Sequence, residues 1–139
     1  MTAQAAQNRP RQGPGTDTTA FARAVRDGID NDFILWAEGF GRSISRSGVT
    51  TSQIRNIYGT VKKLEMSADI DMPAVLLLKP RIAYATARNR GLDDLAQVVT
   101  KAIDAVNEAD SPAQKRERFQ RFCKGFEAIL AYHRAAGDK

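Results

Sequence analysis

The sequence contains very few of the side chains that hold metal ions or form covalent cross-links. Its 139 residues include one cysteine, Cys123, and one histidine, His133. A disulfide within the chain is therefore excluded, and a zinc site built from Cys and His has too few ligands. His133 lies near the C-terminus with no strained nucleophile motif beside it, so we expect no Ser-His-Asp triad. We expect neither a metal nor another cofactor.

Long apolar runs are also missing from the chain. The longest uninterrupted run is Ala74–Leu78, whereas a membrane-spanning helix needs about 20 apolar residues. The first residues lack the basic-then-apolar pattern of a secretory signal. These absences predict a cytoplasmic protein with no membrane association.

Strand patterns and catalytic motifs are absent too. No segment of useful length alternates apolar and polar residues, so no β-sheet is expected, and no glycine-rich phosphate loop is present. The acid pairs Asp93–Asp94 and Asp69–Asp71 fall in a predicted helix first turn and in a loop. Capping or solubility explains them better there than general acid–base catalysis does. The sequence therefore predicts a protein that is not an enzyme.

What the chain does have is an excess of positive charge, unevenly distributed. Its net charge is +5 and its pI about 9.7, which indicates a nucleic acid or an acidic partner. Residues 49–90 carry seven cations against three acids, and residues 111–139 carry the same balance. Residues 91–110, between them, carry one cation against five acids. This alternation can give the folded protein one basic face and one acidic face.

The N-terminal segment, residues 1–29, has the composition of a disordered basic tail. Asn8–Thr19 contains two prolines and two glycines and no apolar residue. Such a stretch cannot bury enough surface to offset its ordering entropy. Phe21–Ile29 has weak helical spacing and is compatible with either a helix or the tail. A solvated tail is favoured over a specific RNA-binding arm.

Residues 30–139 predict a compact all-α bundle of about five helices. Apolar residues recur at three- and four-residue steps, which gives each helix one apolar stripe for a common core. The predicted helices span residues 31–46, 51–66, 72–90, 92–109 and 112–136.

Two helix starts carry a capping-box pattern. Thr50 and Gln53 are spaced so that the threonine hydroxyl accepts from the Gln53 amide while the glutamine side chain reaches back. Ser111 and Gln114 repeat this spacing ahead of the last helix. Both helices therefore have well-defined predicted beginnings.

Pro80 interrupts the third predicted helix. Proline lacks an N–H and its ring clashes with the preceding turn, so the helix must kink or break. Because Ala74–Leu78 and Ile82–Ala87 are both strongly apolar, we favour one kinked helix. The alternative is a short helix followed by a second one that begins at Pro80.

Three segments, taken together in their order and spacing, resemble one protein family. The segments are Val49–Gly59 with Val61, Lys62 and Lys63; Leu76–Ala85 with Arg88; and Phe119–Phe122 with Phe126–Ile129, Tyr132 and His133. They are similar to the small subunit of the type III-A CRISPR–Cas effector (Csm) complex. The resemblance extends over residues 31–137 and leaves the N-terminal segment outside.

The resemblance implies a helical, non-catalytic subunit of an antiviral ribonucleoprotein. In that family several copies stack along the complex, beside the backbone subunits and the guide RNA. They line the channel in which target RNA pairs with the guide. Cleavage of target RNA belongs to the backbone subunit, and nuclease activity and cyclic oligoadenylate synthesis belong to the large subunit. The implied partners are guide RNA, target RNA, the backbone and large subunits, and further copies of the chain.

A protein that follows RNA without reading its sequence needs cations spaced along a surface, because phosphates supply affinity but no base information. The candidate RNA-binding residues are Gln53, Arg55, Lys62, Lys63, Lys79, Arg81 and Arg88. For Gln53, capping and RNA contact are equally supported. Tyr58 and Tyr84 can stack on bases, although packing in the core is favoured for both.

A second hypothesis is an unrelated helical adaptor. Its acidic fourth helix or its basic fifth helix would dock a protein partner. Such an adaptor would show little salt-sensitive affinity for RNA.

Overall fold

The structure, a computed structural model, describes residues 17–137, and the part of the predicted tail at residues 1–16 lies outside the described residues. Within 17–137 all regular secondary structure is helical, which confirms the predicted all-α fold. No helix in this range is long and apolar enough to cross a membrane. The helices are α1 (Ala20–Asp27), α2 (Asn31–Arg46), α3 (Thr51–Glu65), α4 (Met72–Leu76), α5 (Leu78–Arg88), α6 (Asp93–Asn107) and α7 (Pro112–Ala135), with a 3-10 turn at Arg90–Leu92.

Helix α1 corrects the predicted extent of the N-terminal tail. Its apolar residues are buried, with Phe21 and Val25 fully excluded from solvent. The Phe21 ring stacks on Phe122 of α7 and lies against Phe33 of α2. The bundle therefore includes Ala20–Asp27 and begins before the predicted boundary at residue 30. Burial of one apolar face against other helices stabilises a segment too short to be helical alone.

The interruption in the third predicted helix lies at Leu77. Pro80 offers no N–H to the carbonyl of Leu76 four residues earlier, and its ring clashes with that carbonyl. Accordingly α4 ends at Leu76 and α5 begins at Leu78, which leaves Pro80 in a first turn where a missing N–H is tolerated. The favoured single kinked helix is therefore wrong. The alternative of two helices is closer, although the second begins two residues before Pro80.

The helix count differs slightly from the prediction. The described part of the chain has six helices of eight or more residues and the five-residue α4, where about five helices were predicted. The additions are α1 and the division of the third predicted helix into α4 and α5.

The capping signals are mostly confirmed. At α3 the Thr50 hydroxyl accepts from the Gln53 amide at 3.2 Å, and the Gln53 Oε1 accepts from the Thr50 amide at 2.9 Å. At α7 the Ser111 hydroxyl accepts from the Gln114 amide at 3.2 Å. The Gln114 side chain, however, accepts from the amide of Asp110 rather than that of Ser111. The second capping box is therefore only half formed.

The 24-residue α7 is the helix around which the core is built, because it packs against α1, α2, α3 and α6. Its residues Phe119, Phe122 and Phe126 are all buried. Cys123 lies among them as a buried small side chain. Burial raises the pKa of the Cys123 thiol to about 12.

Two contacts fix the end of α7 against the rest of the bundle. His133 is buried, and its Nε2 is hydrogen-bonded to the carbonyl oxygen of Val49 at 2.5 Å. A Cβ added at Gly41 of α2 would lie 2.7 Å from the backbone nitrogen of His133 and 2.8 Å from the Cβ of Tyr132. Glycine is therefore required at position 41 for the backbones of α2 and α7 to approach this closely.

Candidate nucleic-acid interface

An open groove of about 850 Å³ runs between α3 and α5. Buried side chains hold its two walls on the core: Ile54 and Val61 from α3, and Leu78 and Ile82 from α5. Polar and charged side chains on the opposite faces of these helices line the groove. They are Gln53, Arg55, Asn56, Thr60, Lys63, Arg81, Tyr84, Arg88 and Asn89.

The α3 wall carries one stripe of residues. Arg55, Gly59 and Lys63 follow one another at four-residue steps, so they lie above one another on the helix surface. Two cations thus flank a position without a side chain. The charge of this wall is entirely positive.

The α5 wall carries a second stripe. Arg81, Tyr84 and Arg88 are three and four residues apart, which places them on the same helix face. Arg81 and Arg88 are both exposed. The two stripes face the same groove and supply four cations in total.

Among the described residues that line the groove there is no carboxylate. Within residues 17–137, no acidic side chain approaches Arg55, Lys63 or Arg81 closely enough to form a salt bridge. These guanidinium and ammonium groups therefore retain their hydrogen-bond donors for an anion. Arginine can grip a phosphate with two parallel hydrogen bonds.

Lys62 and Lys79, the two remaining predicted cations, lie outside the groove lining. Lys62 pairs with Glu65 at 3.1 Å, and the hydrogen bond that its ammonium group donates to this carboxylate raises the pKa of Lys62. Lys79 donates to Asp104 of α6 at 2.7 Å. Both lysines are thus engaged within the bundle. The groove brings together five of the seven predicted residues.

Gln53 has two roles that the structure makes compatible. Its Oε1 closes the capping box at the start of α3, and the same side chain lines the end of the groove. The amide nitrogen carries two donors that capping does not use. Gln53 therefore combines the capping that was predicted with a position suited to a polar ligand.

The two tyrosines differ, although packing was favoured for both. Tyr58 lies against Phe126, with ring centroids 5.6 Å apart, and burial raises its pKa. Tyr84 is 66% exposed and lines the groove, so the packing prediction was wrong for it. The guanidinium carbon of Arg88 lies over the Tyr84 ring at 5.9 Å from its centroid, and its Nη1 is 3.3 Å from the hydroxyl. The sequence signal was present, because Tyr84 lies between Arg81 and Arg88 at helical spacing.

A smaller cavity of about 380 Å³ lies between the end of α3 and the start of α7. Its cations are Arg116 and Lys124, but Glu65 also lines it and Arg116 pairs with Asp69 at 3.3 Å. It therefore suits an anion less well than the groove does. Nor do residues 17–137 bring three or more His, Cys, Asp or Glu side chains together as metal ligands.

The fold and the groove define the class of protein: a small all-helical bundle that presents a cationic groove between two neighbouring helices. Residues 30–139 match the family described as Csm2 Type III-A. The chain therefore belongs to the Csm2 family, the small subunit of type III-A CRISPR–Cas effectors, and the resemblance seen in the sequence is confirmed. No curated protein and no solved structure matches the chain.

Proposed function

We propose that this subunit is non-catalytic and binds single-stranded target RNA while that RNA pairs with the guide RNA. Several copies stack along the effector, in contact with one another and with the backbone and large subunits. The assembly acts in the cytoplasm in antiviral defence. Contacts to the RNA backbone make the binding independent of sequence.

The observation that carries this proposal is the groove between α3 and α5. Arg55, Lys63, Arg81 and Arg88 line it without an accompanying carboxylate. Cations that neutralise phosphates supply affinity for nucleic acid without reading bases. Gln53 adds hydrogen-bond donors for a sugar or phosphate oxygen.

Four cations make a modest site for a long polyanion. When several copies stack in one effector, an RNA strand bound to one copy binds the next copy intramolecularly. The affinity of the assembly for RNA then exceeds that of one subunit. We therefore expect weak RNA binding by the isolated chain and much tighter binding by the effector.

Co-purification tests the assembly part of the proposal. The tagged protein is isolated from its native host, its partners are identified by mass spectrometry, and the bound RNA is sequenced. We expect a backbone subunit, a large subunit and guide RNA. Recovery of unrelated partners without guide RNA would contradict the proposal and favour a helical adaptor.

Substitutions in the groove test the RNA-binding part. In assembled effectors, Arg55→Ala and Arg81→Ala should each lower the slope of log affinity against log salt by about 0.7 per lost phosphate contact. Lys79→Ala, outside the groove lining, is the matched control and should leave the slope unchanged. An unchanged slope for both arginine variants would remove the groove from the RNA path.

A further inference from the structure

We propose that Gly59 and Tyr84 form a subsite for one nucleotide inside the groove. The sugar–phosphate lies against the backbone of α3 at Gly59, and the base stacks on Tyr84 of α5. This inference rests on the proposed RNA binding and adds a defined contact for a base, independent of which base it is.

No packing contact within residues 17–137 requires a glycine at position 59. A glycine in the interior of a helix weakens that helix relative to alanine. For Gly41 and Gly125, close packing accounts for the residue, because an added Cβ would collide with Tyr132 and with the Phe21 ring, respectively. A Cβ at Gly59 would meet nothing within 4 Å. The space that glycine leaves open belongs to the groove.

The position of Gly59 between two cations indicates what occupies that space. Arg55 lies one turn before it and Lys63 one turn after it, on the same face of α3. A phosphate held by these two side chains comes closest to the helix where no side chain intervenes. Glycine is the residue that permits such an approach of a ligand to the backbone.

Tyr84 provides the apolar part of the subsite. It is 66% exposed, in contrast to Tyr58, which packs on Phe126. Arg88 lies over its ring and contacts its hydroxyl, which orients the ring. The other face of the ring remains available to a base. Stacking on an aromatic side chain tolerates every base, since each has a π-face.

The test is an NMR titration of the full chain at low salt with short oligoadenylate, extended to millimolar RNA so that weak binding is measured. A matched oligomer of abasic ribose phosphates is titrated in parallel. We expect the wild type to bind oligoadenylate more tightly than the abasic oligomer. Tyr84→Ala should weaken oligoadenylate binding roughly fivefold or more and abolish this difference. Tyr84→Phe, which keeps the ring, should retain it.

Gly59→Ala separates binding from folding. It should raise the melting temperature by roughly 4 °C because alanine favours the helix. It should also lower the affinity for both oligomers, roughly fivefold, because the methyl group fills the approach to the backbone. For Tyr84→Ala, the control for general loss of apolar surface is Leu35→Ala, at an exposed position on α2 outside the groove lining.

The outcomes distinguish the subsite from the proposed function. Salt-sensitive binding that is unaffected by Tyr84→Ala and Gly59→Ala would overturn the subsite and leave the cationic groove intact. The absence of any RNA-dependent shift in the wild type would overturn the RNA-binding role of the groove together with the subsite.

Discussion

The ring of Phe21 lies parallel to the ring of Phe122, with centroids 5.4 Å apart and an interplanar angle of 5°. Phe21 comes from α1, which precedes the family match at residue 30, and Phe122 lies near the middle of α7. Both side chains are fully buried. Helix α1 is therefore part of the hydrophobic core although it lies outside the region that identifies the family.

Replacing Phe21 by alanine should lower the free energy of unfolding by about 3–5 kcal/mol, because a large ring is removed from a closed core. Urea unfolding followed by circular dichroism measures this. Ile29→Ala, at a 36% exposed position in the loop after α1, is the control and should change stability by only about 0.5 kcal/mol. Equal, small effects for both variants would show that α1 does not pack as described.

Gly41→Ala should destabilise the bundle by roughly 1–3 kcal/mol, since the new methyl group would collide with backbone and Cβ atoms of α7. Thermal unfolding detects the loss. Gly59→Ala is the matched control, because it makes the same chemical change in a helix with open space around it. An increase in melting temperature for both variants would contradict the close approach of α2 and α7.

Cys123 should react slowly with thiol reagents in the folded protein, because its pKa of about 12 keeps it protonated. The thiolate is the nucleophile, so alkylation at pH 8 should require opening of the fold and be much slower than alkylation of a free thiol. Full reactivity is expected in urea. Rapid alkylation of the native protein would contradict the burial of Cys123.

The same raised pKa predicts a pH dependence of stability. Above pH 9, the ordinary value for this thiol, the unfolded chain releases the proton while the folded chain keeps it. The free energy of unfolding should then fall with rising pH by at most about 1.4 kcal/mol per unit. Cys123→Ala should lack this contribution. If the free energies of unfolding of the wild type and of Cys123→Ala changed equally between pH 9 and 11, the raised pKa of Cys123 would be contradicted.

Lys79 and Asp104 should contribute modestly to stability. Their side chains are 36% and 46% exposed, and such pairs are worth about 0.2–1 kcal/mol. A double-mutant cycle with Lys79→Met and Asp104→Asn measures the coupling by urea unfolding. The coupling should shrink at high salt. A salt-independent coupling would contradict a solvent-exposed ion pair.

Much of the fold could be predicted because its signals are local. The apolar stripes of α2, α3, α6 and α7 repeat at helical spacing, and Thr50 and Gln53 mark the start of α3 within four residues. The stabilisation of α1 could not be predicted in this way. It depends on Phe21 meeting Phe122 about a hundred positions away, whereas the polar composition just before α1 indicates a tail.

The sequence predicted most of the residues of the candidate site. It did not predict which of them face the same groove. Lys62 and Lys63 are adjacent, yet consecutive positions point about 100° apart around a helix, so only Lys63 reaches the groove. The role of Lys79 depends on Asp104, whose position follows from how α6 packs on α5. Gly59 carries no side chain, and the open space beside it is evident only from the arrangement of the surrounding helices.

The position of α7 in the chain has a consequence for synthesis. Because α1, α2, α3 and α6 all bury part of their apolar faces against it, these faces lack their cover while the ribosome is still adding residues 112–135. Those apolar faces therefore stay partly exposed to solvent until residues 112–135 have been synthesised. Docking of α7 is the step of folding that completes the cover of the core.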